Sequence, residues 1–74
     1  MARPLLDDRQ QSVLQVLLKN KSMPFLELTS QTELDDKILE RILTELEEKG
    51  LVRITNRGNP LEEIITVKGK AFAS

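Results

Sequence analysis

The side chains able to do chemistry fall into two kinds, twelve carboxylates and eleven lysines and arginines, with no histidine or cysteine. That inventory excludes zinc fingers, cysteine–histidine and serine–histidine catalysis, and any disulfide framework. The carboxylates form no recognisable acid–base pair, and no glycine-rich phosphate loop occurs. An enzyme is therefore not expected, and no cofactor, metal or small-molecule ligand site is readable. What remains is binding through charge and shape.

The charge is unevenly placed. Residues 1–34 are balanced, with Arg3, Arg9, Lys19 and Lys21 against Asp7, Asp8, Glu27 and Glu33. Residues 35–49 carry three basic and six acidic side chains, and residues 50–74 set Arg53, Arg57, Lys68 and Lys70 against Glu62 and Glu63. The overall net charge of −1 thus conceals an acidic middle and a basic last third. Domains that live on phosphate contacts are usually more basic than this. Tryptophan and tyrosine are absent and Phe25 and Phe72 are the only aromatics, so a base-stacking platform for single strands is excluded.

Seventy-four residues make one small domain, and an ordinary mix of 39% hydrophobic and 31% charged residues argues against disorder. No apolar run reaches the roughly 18–20 residues of a membrane span, and the start lacks the pattern of a signal peptide. The expected location is cytoplasmic.

Those charges must be positioned by elements that the hydrophobic spacing reveals. A first helix is expected from about Leu5 to Asn20, with Val13, Val16 and Leu17 on one face and Leu14 and Leu18 beside it. Asp7 and Gln10 have capping-box spacing, and Asn20 is a stop. A short second segment has Ser22 as cap, Pro24 in the first turn, then Phe25, Leu28 and Thr29, fading at Ser30-Gln31-Thr32. Asp35 should cap a third helix that runs to Lys49, burying Ile38, Leu39, Ile42, Leu43 and Leu46 and stopping at a left-handed Gly50. Beyond Gly50 the period changes. Leu51–Thr55 and Glu63–Val67 are β-rich and flank the turn cluster Asn56-Arg57-Gly58-Asn59-Pro60, a hairpin. A further short strand at Lys21–Met23 could pair with it. Leu51 and Ile54 should pack beneath the helices, Thr66 should cap a last helical turn, and Phe72 should close the core.

Leu28-Thr29, Thr32, Leu34-Asp35, Leu39, Leu43, Leu46 and Glu48-Lys49-Gly50-Leu51-Val52 resemble the second and third helices of a winged helix-turn-helix domain. Ile65-Thr66-Val67-Lys68-Gly69-Lys70-Ala71-Phe72 is similar to the segment that follows the wing in MarR- and PadR-type transcriptional regulators. The resemblance spans about residues 5–72. It implies a mainly α (α+β) fold, with a three-helix core and a two- or three-stranded β wing, as a single winged-helix domain over residues 1–74.

In such regulators the third helix enters the major groove and the wing reaches phosphates or the minor groove. The matching positions here are Asp36, Lys37, Glu40, Arg41 and Thr44 on the helix and Arg53, Asn56 and Arg57 on the wing. Lys37, Arg41, Thr44, Arg53, Asn56 and Arg57 are therefore the expected DNA-binding residues, with Arg57 on phosphate or in the minor groove. Asp36 and Glu40 repel phosphate, and Asp35 and Asp36 read more simply as helix-start residues. Lys19, Lys21, Lys68 and Lys70 read as surface lysines. Glu33 stands where the family often has a turn glycine. The family also dimerises through long helices outside the winged core, whereas this sequence stops just after the wing. A dimer would then use another surface, such as the first helix with Leu5 and Leu6, and a monomer would bind one half-site.

Two functions fit these residues. The first is a small winged-helix regulator that binds double-stranded DNA. The alternative is a winged-helix protein–protein interaction module whose acidic third helix meets a basic partner.

Overall fold

A computed structural model describes residues 7–59, 61–69 and 71. Expectations for Leu5, Leu6, Pro60, Lys70 and Phe72 lie outside the described residues.

Helix α1 spans Asp8–Asn20 and is opened by a reciprocal capping box. The Asp7 carboxylate accepts the Gln10 N–H at 2.8 Å, and Gln10 Oε1 accepts the Asp7 N–H at 3.2 Å. The same Gln10 side chain is buried and donates from Nε2 to Glu45 Oε1. One side chain thus both caps α1 and ties its start to the third helix.

Residues Ser22–Pro24 form strand β1, one residue from the short strand expected at Lys21–Met23, and Ser22 is therefore not the cap of a second helix. Pro24 occupies the N-cap position of α2, Phe25–Thr32, in extended conformation. Proline has no N–H to give a ladder and its ring favours this φ, so it fits the end of an edge strand. The Phe25 N–H donates to the Glu63 carbonyl at 2.9 Å. Helix α2 ends at Thr32, within the Ser30–Thr32 stretch where it was expected to fade, and the Thr29 and Thr32 hydroxyls donate back to the Leu26 and Leu28 carbonyls. Its C-cap is Glu33, which is left-handed with φ 57° and donates its N–H to the Thr29 carbonyl. A charged residue therefore performs the turn that glycine would make without steric cost.

Helix α3 spans Asp36–Glu48. Asp35 precedes it at the N-cap position, but its side chain makes no capping hydrogen bond, contrary to expectation. Its carbonyl accepts the Leu39 N–H, so the backbone opens the ladder without side-chain help. Leu39, Ile42, Leu43 and Leu46 are buried, while Ile38 packs half-buried at the edge. The end of α3 is a Schellman motif. Gly50 has φ 77°, its N–H reaches the Glu47 carbonyl, and the Leu51 N–H reaches the Leu46 carbonyl. Leu46 and Leu51 are both buried, the apolar contact that usually accompanies this stop.

The chain then forms β2 (Val52–Thr55) and β3 (Ile64–Val67) in an antiparallel sheet ordered β1-β3-β2. Met23 pairs with Ile65 on one side and Ile54 with Ile65 on the other. Leu51 lies just before β2 and is buried, but Val52 is the fully buried strand residue and Ile54 is half-buried. Thr66 does not cap a final turn. It lies in β3 between Ser22 and Arg53, and Ala71 closes the following turn by donating to the Lys68 carbonyl. The result is a three-helix core with a three-stranded wing sheet. No helix among the described residues is long and apolar enough to cross a membrane.

Candidate functional site

The burial of Leu39, Ile42, Leu43 and Leu46 leaves the opposite side of α3 facing outward. Lys37, Glu40 and Arg41 are exposed, and Thr44 and Glu47 follow on the same side at helical spacing. The Thr44 hydroxyl donates to the Glu40 carbonyl at 2.9 Å, a bond that holds its oxygen against the helix.

The wing tip is built by residues with unusual backbone freedom. Asn56 has φ 58° and Gly58 has φ 92°, which bends the chain on both sides of Arg57. Asn56 Nδ2 donates to the Glu62 carbonyl, and Asn59 Nδ2 donates to the Glu62 carboxylate. Asn56 is thus engaged in the tip's own structure, where asparagine tolerates the left-handed region better than most residues.

Bent this way, the tip sends Arg57 onto α3. Its Nη1 donates to Thr44 Oγ1 at 3.3 Å, and Nη2 forms an ion pair with Glu47 Oε1 at 2.5 Å. Of the six expected residues, the structure therefore joins Thr44 and Arg57. Lys37 and Arg41 stand exposed on α3, and Arg53 stands exposed on β2 in register with Thr66. Among the six, no hydrogen bond or ion pair links Lys37, Arg41 or Arg53 to the others.

Two acidic residues matter that the sequence did not single out. Glu47, in the last turn of α3, holds the wing arginine. Glu63, at the foot of the wing, is 2% exposed with Oε1 buried and without a hydrogen-bond partner. Its burial was readable from the period of two, since Glu63, Ile65 and Val67 all point inward. A cleft of about 210 Å³ beside the wing is lined by Phe25, Asp36, Glu40 and Gly58. Burial and the nearby Glu40 carboxylate push the Glu63 pKa upward, while the Gly58 N–H and Arg57 oppose them.

That shift has a sign. A carboxyl whose folded pKa lies above its ordinary 4.5 favours folding when protonated, and the benefit is lost as pH rises through the folded pKa. Glu63→Gln should therefore be most stabilising, relative to the wild type, at neutral pH. Its advantage should shrink as pH falls toward about 4.5, as read by urea unfolding at several pH values. A difference that does not vary with pH would mean that Glu63 is ionised normally. No cluster of acidic side chains among the described residues is arranged to hold a metal.

No family model matches this sequence, and no curated protein is significantly similar to it. Solved structures do match. MarR from E. coli, in its oxidised form, superposes with a TM-score of 0.79 at 25% identity, over 92% of this chain and 48% of that one. NadR in complex with 4-hydroxyphenylacetate gives 0.77 at 25% identity, over 88% and 46%. ZitR of Lactococcus lactis, solved in complex with DNA, gives 0.76 at 15% identity, over 97% and 49%. These neighbours are MarR-family regulators, and the fold of this chain is a winged helix of the MarR type. The chain spans about half the length of the structures it matches.

Proposed function

We propose that residues 1–74 form one winged-helix domain that binds double-stranded DNA as part of a transcriptional regulator in the cytoplasm. Lys37, Arg41 and Thr44 on α3 meet base edges and phosphates in the major groove, and Arg53, Asn56 and Arg57 serve the wing contact. The observation that carries this reading is the MarR-type arrangement itself, with an outward α3 face bearing Lys37 and Arg41 beside a wing bearing Arg53 and Arg57. The DNA complex of the structurally similar ZitR supports it. A homodimer would read two half-sites, as the symmetry of such operators requires.

A second reading is a protein-interaction module. It is favoured by the acidic excess over residues 35–49 and by the pairing of Arg57 with Glu47, which neutralises a wing cation.

A salt series with random duplex DNA separates the two. Phosphate contacts make the logarithm of the binding constant fall with log salt by about 0.9 per contact. Arg57→Ala should weaken binding similarly on all sequences and reduce that slope by about one unit. Absence of duplex binding at about 50 mM salt, where phosphate attraction is strong, would overturn DNA binding and leave the interaction module.

A further inference from the structure

The arginine best placed to meet a phosphate is already occupied. Both terminal nitrogens of Arg57 are engaged by α3, one by the Thr44 hydroxyl and one by the Glu47 carboxylate. A carboxylate presents two anionic oxygens to a guanidinium much as a phosphate does. The contact is accessible, with the Arg57 and Glu47 side chains 47% and 38% exposed. It is also directed, because the left-handed backbone at Asn56 and Gly58 turns the tip so that its arginine lies on the helix. Thr44 and Glu47 are one helical turn apart, so the guanidinium covers the Thr44–Glu47 end of the outward face of α3 and leaves Lys37 and Arg41 exposed.

We propose that Glu47 is an internal competitor for phosphate, holding the wing latched on α3 until a DNA phosphate displaces it from Arg57. This rests on the DNA-binding reading above and adds its regulation. Opening the latch releases Arg57 for the backbone and uncovers Thr44 in one step. An exposed ion pair shifts an equilibrium by no more than about fivefold, so the latch is weak enough for phosphate to open. Its cost nevertheless falls on every binding event. Because the exposed ion pair is itself screened by salt, removing the competitor should raise affinity most at low salt and make the salt dependence slightly steeper.

The test is a set of variants titrated with random duplex DNA across a salt series. Glu47→Gln keeps the side chain's size and removes its charge, and Glu48→Gln removes an equal charge from the neighbouring exposed position. Glu47→Gln should bind about three- to fivefold more tightly than Glu48→Gln at about 50 mM salt, with the gain shrinking as salt rises. In an Arg57→Ala background the two should bind equally, since no arginine is left to release. Equal gains from both in the wild-type background, or a Glu47→Gln gain that survives Arg57→Ala, would overturn the latch. Weaker binding by Glu47→Gln would also overturn it, by showing that Glu47 presents Arg57 to DNA. Failure of the DNA-binding reading looks different, because then no variant binds duplex at about 50 mM salt. Melting by circular dichroism should show all variants folded, as expected for changes at exposed positions.

Discussion

Gly50→Val should lower the unfolding free energy by more than about 1 kcal/mol, since a β-branched residue is strained in the left-handed region. Gly50 has φ 77° and sits where α3 must stop and reverse. The two hydrogen bonds of the stop, from Gly50 to Glu47 and from Leu51 to Leu46, both require that conformation. A valine there must bear the strain or abandon the motif. Abandoning it would move Leu51 and Val52, which are almost wholly buried beneath the helices and lead directly into the wing. The loss should therefore appear in urea unfolding as a lower midpoint, with Gly50→Asn milder because asparagine tolerates this region. An unchanged unfolding curve would mean that the helix ends by another route.

How much of this was legible in the sequence depended on how local each feature is. Helix α3 was readable almost residue by residue, because a wide apolar stripe and a terminal glycine lie within one continuous segment. The capping box at Asp7 and Gln10 was readable for the same reason, being set by residues three apart. Strand β1 was harder. Three residues cannot display a period, and Ser22–Pro24 is a strand only because β3, some forty residues later, pairs with it. A short strand at Lys21–Met23 pairing with the hairpin was expected, one residue from its place. The helix-like reading of Ser22 and Pro24 followed their usual local roles and gave way to the ladder.

The candidate site divides along the same line. That Lys37, Arg41 and Thr44 share the outward side of α3 follows from helical spacing once the buried side is known. That Arg57 bonds Thr44 and Glu47 does not. The contact spans the hairpin, and it depends on the backbone angles of Asn56 and Gly58, which turn residues permit without dictating. Charge counting showed an acidic excess over residues 35–49 without pairing Glu47 to anything. Its partner became visible when the wing was folded back onto the helix. Gln10 holds a similar lesson, since its cap was local but its bond to Glu45 joins two helices that sequence spacing cannot relate.

Arg41→Ala should weaken specific duplex binding by about 1–3 kcal/mol and relax the preference at a single base pair. Arg41 is exposed in the middle of α3, between Glu40 and the Thr44 turn, on the side away from Leu39 and Leu43. Unlike Arg57, it forms no ion pair among the described residues, so no intramolecular bond must break before it acts. A guanidinium there can donate two parallel hydrogen bonds to guanine O6 and N7, which alanine cannot replace. Lysine would keep the charge but lose the planar fork, so Arg41→Lys should retain affinity for random DNA while discriminating less. The comparison to make is binding to the preferred site against single-base variants of it, at one fixed salt concentration. A base contact gives a loss confined to one position, with little change on random sequence. Should Arg41→Ala instead weaken all duplexes alike and lower the salt slope by about one unit, Arg41 holds a phosphate and base reading falls to Lys37 and Thr44.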